Sequence, residues 1–280
     1  TAAAERLITT DKVKAMVGGD CSGVTGAALQ NVARPNGIVM ISPSATSPGL
    51  STAEDDGLFF RTAPSDARQG EIVRDILMEK GVKSVAITYT NNDYGKGLAE
   101  AIQKNFEAAG GKVTISAAHE DGKGDYSAEV GALAQAGGEV LVVAGYLDQG
   151  GKGIIQAALD TGAFDTFYLP DGMAGDSLVE AIGSGLNGSY GANPGTDSPG
   201  ASTYADMAKA AGFEAAAFSA ESYDAAALIL LAMQAAGSTE SAKLTEKGLE
   251  GANEPGEKSY SGEPAKGLKI LKAGGCVHHC

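Results

Sequence analysis

The chain has 280 residues, 43% of them hydrophobic, with 35 acidic against 21 basic side chains and a net charge of -14. That length suits about two compact units with real apolar cores, and the acidic balance disfavours nucleic acid and anionic membrane surfaces as partners. The longest apolar stretch, Ala225 to Ala236, falls short of the ~20 residues a membrane-spanning helix needs; it reads as a buried helix, with no direct membrane insertion.

Thr1 leads straight into a helix-like segment, Ala2 to Ile8, so no signal peptide is readable at the start, as in a mature or trimmed chain. Strand-like runs follow at Val13 to Val17 and Ile38 to Ile41, each leading into a hydroxyl-bearing turn, Cys21-Ser22-Gly23-Val24-Thr25 and Ser42-Pro43-Ser44-Ala45-Thr46. The first turn opens a helical stretch, Thr25 to Val32, whose outward N–H groups and dipole would attract a carboxylate. Ser22 and Thr25 also suit plain helix caps, and Ser44 and Thr46 plain turn residues. An Arg-Thr-Ala-Pro segment within Phe60 to Ser65 marks a boundary, after which Asp66 caps a new helix.

Beyond the boundary the chain alternates strand and helix. Ser84 to Thr88, Val113 to Ser116, Val140 to Ala144 and Phe167 to Leu169 are predicted strands, several too apolar for a solvated face. Ile72, Val73, Ile76 and Leu77 mark one helix face, and Leu98, Ile102 and Phe106 another, with Gly81 and Gly110 at C-cap positions. The alternation continues to about Tyr190, and the turn-dense stretch from Asn193 to Gly200 is expected to cross back, so that helices near Thr203 to Ala211 and Phe218 to Ala236 complete the first lobe. The pattern predicts a mostly parallel α/β architecture with both sheet faces covered.

Little of the sequence supports catalysis. His119 is the lone histidine in the body of the chain and is expected at a strand end on the surface, without a nucleophile motif. Gly145 to Gly153 follows an apolar strand like a phosphate loop, yet Gly151-Lys152-Gly153 lacks the required Gly-Lys-Ser/Thr order. HExxH and CxxC are absent, so neither a cofactor nor structural zinc is expected. Three cysteines leave an odd one, and Cys276 and Cys280 bracket His278 and His279 in a spacing open to a metal, a local disulfide or a frayed tail. What remains is a set of polar and aromatic residues just after predicted strands, where open α/β sheets bind ligands: Tyr94, Tyr146 and Asp171. Each has an ordinary alternative as a helix entry, a packed aromatic or a turn residue. Together with the hydroxyl turns they favour a small zwitterionic ligand.

Six segments in order resemble the leucine/isoleucine/valine-binding proteins, the type I periplasmic receptors of ABC importers. They are Gly18-Gly19-Asp20-Cys21-Ser22, Gly37 to Thr46, Phe60-Arg61-Thr62, Asp93 to Ala99, Gly124-Asp125-Tyr126-Ser127 and Gly145-Tyr146, with Ser222-Tyr223-Asp224-Ala225-Ala226 also similar. The resemblance implies a two-lobe type I periplasmic binding protein fold, each lobe a mostly parallel sheet flanked by helices. Lobe I takes residues 1–64 and 193–270, lobe II residues 65–192, and 271–280 starts a crossing segment or a frayed tail. It also implies family segments before the Thr1 equivalent, including a cysteine partner for Cys21, and after the Cys280 equivalent.

By the same resemblance, Ser22 and Thr46 hold an amino acid's α-carboxylate through hydroxyls and backbone amides. Ser44 gives its carbonyl, with the Thr46 hydroxyl, to the α-ammonium, and Asp171 pairs with that ammonium where the family more often has glutamate. Tyr94 and Tyr146 close over the ligand, and Phe218 matches a pocket-facing aromatic near the hinge. The implied function is periplasmic capture of a small aliphatic or branched-chain amino acid by lobe closure, with delivery to a membrane permease and no enzymatic activity. A sensory or regulatory module on the same fold, binding an amino acid or amide without transport, is the alternative.

Overall fold

The computed structural model describes residues 1–194, 199–245 and 249, and the backbone strands Glu257–Ser259 and Val277–His279. Residues 195–198 of the turn-dense stretch, Cys276, Cys280 and the side chains of His278 and His279 lie outside the described residues. In chain order the elements are α1 (Ala2–Thr9), β1 (Ala15–Val17), α2 (Ser22–Ala28), β2 (Val39–Ser42), β3 (Phe59–Arg61), α3 (Asp66–Glu79), β4 (Ser84–Thr90), α4 (Asp93–Ala108), β5 (Lys112–His119), α5 (Ser127–Ala136), β6 (Val140–Ala144), α6 (Lys152–Thr161), β7 (Phe167–Pro170), α7 (Asp176–Ile182), β8 (Tyr190–Ala192), α8 (Pro199–Ala210), α9 (Ser219–Ala236) and α10 (Ser241–Leu244), with β9 (Glu257–Ser259) and β10 (Val277–His279) pairing in parallel. The chain divides into two compact units, Thr1–Ala45 with Thr52–Ala63 and Gly195–Cys280, and Thr46–Ser51 with Pro64–Pro194.

In the first unit β2 lies between β1 and β3, all parallel. Each residue of β2 is buried, and Val39 and Ile41 pack with Ala225, Ile229 and Ala232 of α9 and Leu244 of α10. The sequence places a boundary segment where β3 forms. Three residues are too short to show a period, and only pairing with β2 makes them a strand. The helix expected at Thr25 starts at Ser22 and passes into a π-helical turn, Leu29–Ala33. Gly23 and Gly26 lower local helix propensity there, which masks the earlier start. The apolar run of α9 is not wholly buried: Ala225, Ala227, Ile229, Leu231 and Ala232 are inside, whereas Leu230 is 55% exposed.

In the second unit the strand order is β5-β4-β6-β7-β8, all parallel. The chain steps from β4 to β5 on one side, then returns to β6 on the other, so a topological switch point falls between β4 and β6. β6, Val-Leu-Val-Val-Ala, is buried at each residue because both its faces are covered. Val140, Val142 and Ala144 join Val73 and Leu77 of α3 and Leu98, Ile102 and Phe106 of α4 on one face. Leu141 and Val143 join Val130 and Leu133 of α5 and Ile154, Ile155 and Ala158 of α6 on the other.

Helix entries and exits set the edge of this sheet. Gly81 and Gly110 take φ of +76° and +87°, which L side chains rarely adopt. Asn92 caps α4, its side chain accepting from Gly95 N–H at 2.8 Å. At α3 the cap is Ser65 rather than the expected Asp66, with Ser65 Oγ accepting from Ala67 N–H at 3.3 Å. Asp66 is then free to turn its carboxylate inward.

Candidate functional site

The C-terminal ends of β4, β6 and β7 carry two polar clusters in the second unit. The first is built on Asp171, in the 3₁₀ turn Asp171–Met173 that follows β7. Its Oδ1 accepts from Gln69 Nε2 at 2.7 Å and from Tyr94 Oη at 2.9 Å. Tyr94 Oη in turn accepts from Gly172 N–H at 3.1 Å. Burial pushes the Asp171 carboxyl above the ordinary aspartate range, while the Gln69 and Tyr94 donors pull it back. Tyr94 is 2% exposed, and burial and the neighbouring Asp171 and Asp66 charges raise its phenol well above the usual value. Its ring stacks on half-buried Tyr146, centroids 4.7 Å apart and planes 24° from parallel. A Cβ on Gly172 would meet Tyr94 Cε1 at 2.8 Å, so a glycine is needed for the Asp171 turn to lie this close.

Thr46 joins the same unit through α3. Its hydroxyl donates to Asp66 Oδ2 at 2.9 Å, and its carbonyl accepts from Asp66 N–H at 2.9 Å. The first turns of α3 therefore hold Thr46 through Asp66 and Asp171 through Gln69.

The second cluster centres on His119, which the sequence places on the surface. That expectation fails: His119 is 1% exposed. Parallel pairing sets it beside Thr90, and its ring nitrogens meet two hydroxyls, Nδ1 with Thr88 Oγ1 at 2.8 Å and Nε2 with Thr90 Oγ1 at 3.1 Å. Thr90 Oγ1 donates to the Gln149 carbonyl at 3.2 Å and accepts from Tyr146 N–H at 3.3 Å. The pattern assigns the proton to Nε2, with Nδ1 accepting from Thr88. Desolvation lowers the imidazole to about 4, so the ring is neutral at pH 7. Two hydroxyl partners remove the penalty that made burial of a lone histidine improbable from sequence.

In the first unit the two hydroxyl turns are tied through one carbonyl. Gly19 C=O accepts from Thr25 Oγ1 at 3.0 Å and from Ser42 Oγ at 2.7 Å. Ser22 is 1% exposed and opens α2 after Cys21, a free cysteine. Ser44 Oγ lies 2.6 Å from Asp20 Oδ1 and 3.1 Å from the Asp20 carbonyl. Phe218 heads α9 with a left-handed φ of +61°, and its carbonyl accepts from Ser222 Oγ at 2.8 Å; its hydrogen bonds are local to that helix start. Gln69 and Asp66 were missed by sequence reasoning. The Asp-x-x-Gln spacing at the head of α3 is the signal that could have found them, since residues three apart share a helix face.

Among the described residues no three or more His, Cys, Asp or Glu side chains group as a metal site, and no helix is long and apolar enough to cross a membrane.

The second unit is a doubly wound parallel sheet with an acidic and aromatic cluster at its carboxyl edge, the edge at which open α/β sheets bind ligands. The chain belongs to the periplasmic binding protein family, whose model matches residues 1–262, and within it to the type I branched-chain amino acid-binding proteins. It is 32% identical over 254 residues to Leu/Ile/Val-binding protein homolog 3 of Brucella melitensis, 88% of this chain and 67% of that protein. It is also 32% identical over 237 residues to homolog 1 of the same organism, 82% of this chain and 62% of that protein. The chain thus spans about two thirds of the length of these relatives. Among solved structures, the branched-chain amino acid transporter substrate-binding protein LivJ of Streptococcus pneumoniae, in complex with isoleucine, superposes with a TM-score of 0.74 at 27% identity, over 91% of this chain and 72% of that one. The leucine-binding protein LivK of Thermotoga maritima shares the fold, with a TM-score of 0.75 at 24% identity over 88% of this chain and 71% of that one.

Proposed function

We propose that this chain is an extracytoplasmic solute-binding receptor for a small aliphatic amino acid, branched-chain ligands first, that captures it by lobe closure and serves the permease of an ABC importer. The relatives' Leu/Ile/Val-binding names and the isoleucine complex of LivJ support the ligand class. The observation that carries the reading is the Asp171 carboxylate. Both of its side-chain donors fall on Oδ1, the Asp171 and Gly172 backbone amides also favour its charged form, and in this reading Oδ2 meets the ligand ammonium. An ammonium there would offset the burial that raises Asp171. A charge-assisted hydrogen bond of this kind contributes roughly 1.5–3 kcal/mol.

Thr46 donates its hydroxyl proton to Asp66, so in this reading its oxygen accepts from the ammonium and only its backbone amide serves the α-carboxylate. Ser22 offers the amide and hydroxyl at the start of α2 to that carboxylate, and Ser44 its carbonyl to the ammonium. Tyr94, buried and bonded to Asp171, acts by holding the carboxylate. Tyr146 and Phe218 supply apolar surface to the ligand. The reading is of binding without chemistry.

Calorimetric titration with L-leucine, L-isoleucine and L-valine tests the assignment. Wild type is expected to bind at least one of them, and Asp171→Ala to bind it roughly 10- to 150-fold more weakly, the equivalent of one charged hydrogen bond. Equal affinity in the two proteins removes Asp171 from the site.

A further inference from the structure

We infer that Gln69 is a positioning residue of the ligand site, its amide nitrogen fixing the Asp171 carboxylate and its amide oxygen offered to the same ligand cation. The inference rests on the reading of Asp171 as the ammonium partner. Gln69 lies at the head of α3, 102 positions from Asp171 in sequence, and donates from Nε2 to Asp171 Oδ1 at 2.7 Å. Its other amide atom, Oε1, is shut from solvent with no hydrogen-bond partner among the described residues. Buried carbonyls left without a donor are rare in native proteins, and each one carries a penalty unless a donor arrives. A ligand ammonium carries three N–H donors. One can go to Asp171 and leave others for a neutral oxygen beside it.

The identity of the side chain fits this double task. Glutamate at position 69 would place a second carboxylate against Asp171 and remove the donor. A hydrocarbon of the same length would provide neither atom. Glutamine is the residue of this size that both donates to a carboxylate and keeps an acceptor for a cation. Its place on α3 also matters, because Asp66, three residues earlier on that helix, holds Thr46 at 2.9 Å. One rigid helix head thus fixes both Thr46 and Asp171, and a shift of α3 moves both together. The titratable groups near Asp171 are Asp66 of α3, Tyr94 of α4 and Tyr168 of β7; Gln69 is the neutral member of this set.

The test uses the full 280-residue chain. The Asp171 carboxyl is titrated by ¹³C NMR without ligand in wild type, Gln69→Met and Gln69→Glu, and each protein is then titrated calorimetrically with L-leucine. Loss of the donor in Gln69→Met is expected to raise the Asp171 midpoint by about one pH unit, a tenfold gain in proton affinity, and Gln69→Glu to raise it further through like charge. Leucine affinity should fall roughly tenfold in Gln69→Met. A residue that only packs would lower the thermal midpoint and leave the Asp171 titration where it is. If Gln69→Met does not fold, Gln69→Glu carries the same readout. An unmoved Asp171 midpoint overturns the inference whether or not leucine binds, and so does unchanged leucine affinity in a variant whose midpoint has moved. A moved midpoint in a protein whose wild type gives no heat with any amino acid removes the ligand reading instead, and leaves Gln69 as the residue that sets Asp171.

Discussion

The His119 and Asp171 clusters sit along one sheet edge, each holding a titratable group withdrawn from solvent, His119 fully and Asp171 in part, and they satisfy it in opposite ways. Around His119 the bonds form a closed set. Thr88 donates to Nδ1, Nε2–H donates to Thr90, and Thr90 passes its own proton to the Gln149 carbonyl. Around Asp171 the set stays open: Gln69 and Tyr94 donate to one carboxylate oxygen, the Asp171 and Gly172 backbone amides add to the carboxyl's bonding, and the Gln69 amide oxygen has no donor among the described residues. A closed polar network contributes order to the fold, whereas an open one holds unused hydrogen-bonding capacity that a ligand can complete. On this view the first cluster is scaffold and the second is site.

The largest expected effect is the pH response of the scaffold cluster. His119 titrates at about 4 in the folded chain against 6.5 ordinarily, so between those values the unfolded chain binds more protons. Stability is therefore fully present above about pH 6.5 and lost as pH falls toward 4. The difference corresponds to about 3 kcal/mol. The charges facing the ring, Glu129 of α5 with Glu120 and Asp121 beyond β5, favour the protonated form, but desolvation outweighs them. Urea unfolding at pH 7 and pH 4.5 should show most of this loss in wild type and much less in His119→Gln. Equal losses in both proteins would mean that His119 is solvated, and the division between the clusters would fall.

A smaller effect is expected from Gly145→Ala. A Cβ at this position would run into Thr90 Oγ1 and lie 3.1 Å from Thr90 Cβ, which displaces the hydroxyl at the centre of the His119 network. Overpacking of this kind costs about 1–3 kcal/mol. Gly131→Ala is the control, because its Cβ points into open space on helix α5, where alanine favours the helix by about 0.5–1 kcal/mol. Urea midpoints moving in opposite directions for the two substitutions would place Gly145 in the scaffold. Equal midpoints would show that Thr90 can yield without loss.

The scaffold was the harder of the two clusters to read from sequence. β6 and the α4 face announce themselves, since an unbroken apolar run and a 3.6-residue spacing each have one structural meaning. Asp171, Tyr94 and Tyr146 were also legible, because strand exits in a parallel sheet gather at one edge. His119 was not. Its immediate neighbours, Glu120 and Asp121, are polar, and the threonines that satisfy it come from β4, about thirty residues earlier, through parallel pairing. Gln69 escaped for the same reason at greater range, its partner lying 102 residues away. Thr46 was visible as a hydroxyl in a turn, but the direction of its proton depends on Asp66, whose inward turn follows from Ser65 taking the capping role. Local pattern identifies elements, and contacts between distant elements decide which polar groups are used up.

The smallest effect, and the one specific to the open cluster, is the pH dependence of ligand affinity. In the free protein burial raises the Asp171 carboxyl above its ordinary 3.8, and an ammonium bound against it would lower it again. The bound form then holds fewer protons than the free form between those two values, so affinity is full above the free-state value and falls as pH drops through it. The fall is at most tenfold, about 1.4 kcal/mol, per pH unit, and it starts at a higher pH than an unburied aspartate would give. Tyr94 and Tyr168, whose phenols burial holds above their usual values, stay neutral throughout this range. Calorimetry with L-leucine from pH 7 to pH 4 should therefore give a plateau followed by a decline in wild type, and a lower, flatter profile in Asp171→Asn. If the two profiles run parallel, the titrating group is not Asp171, and the open cluster is no more engaged with ligand than the closed one.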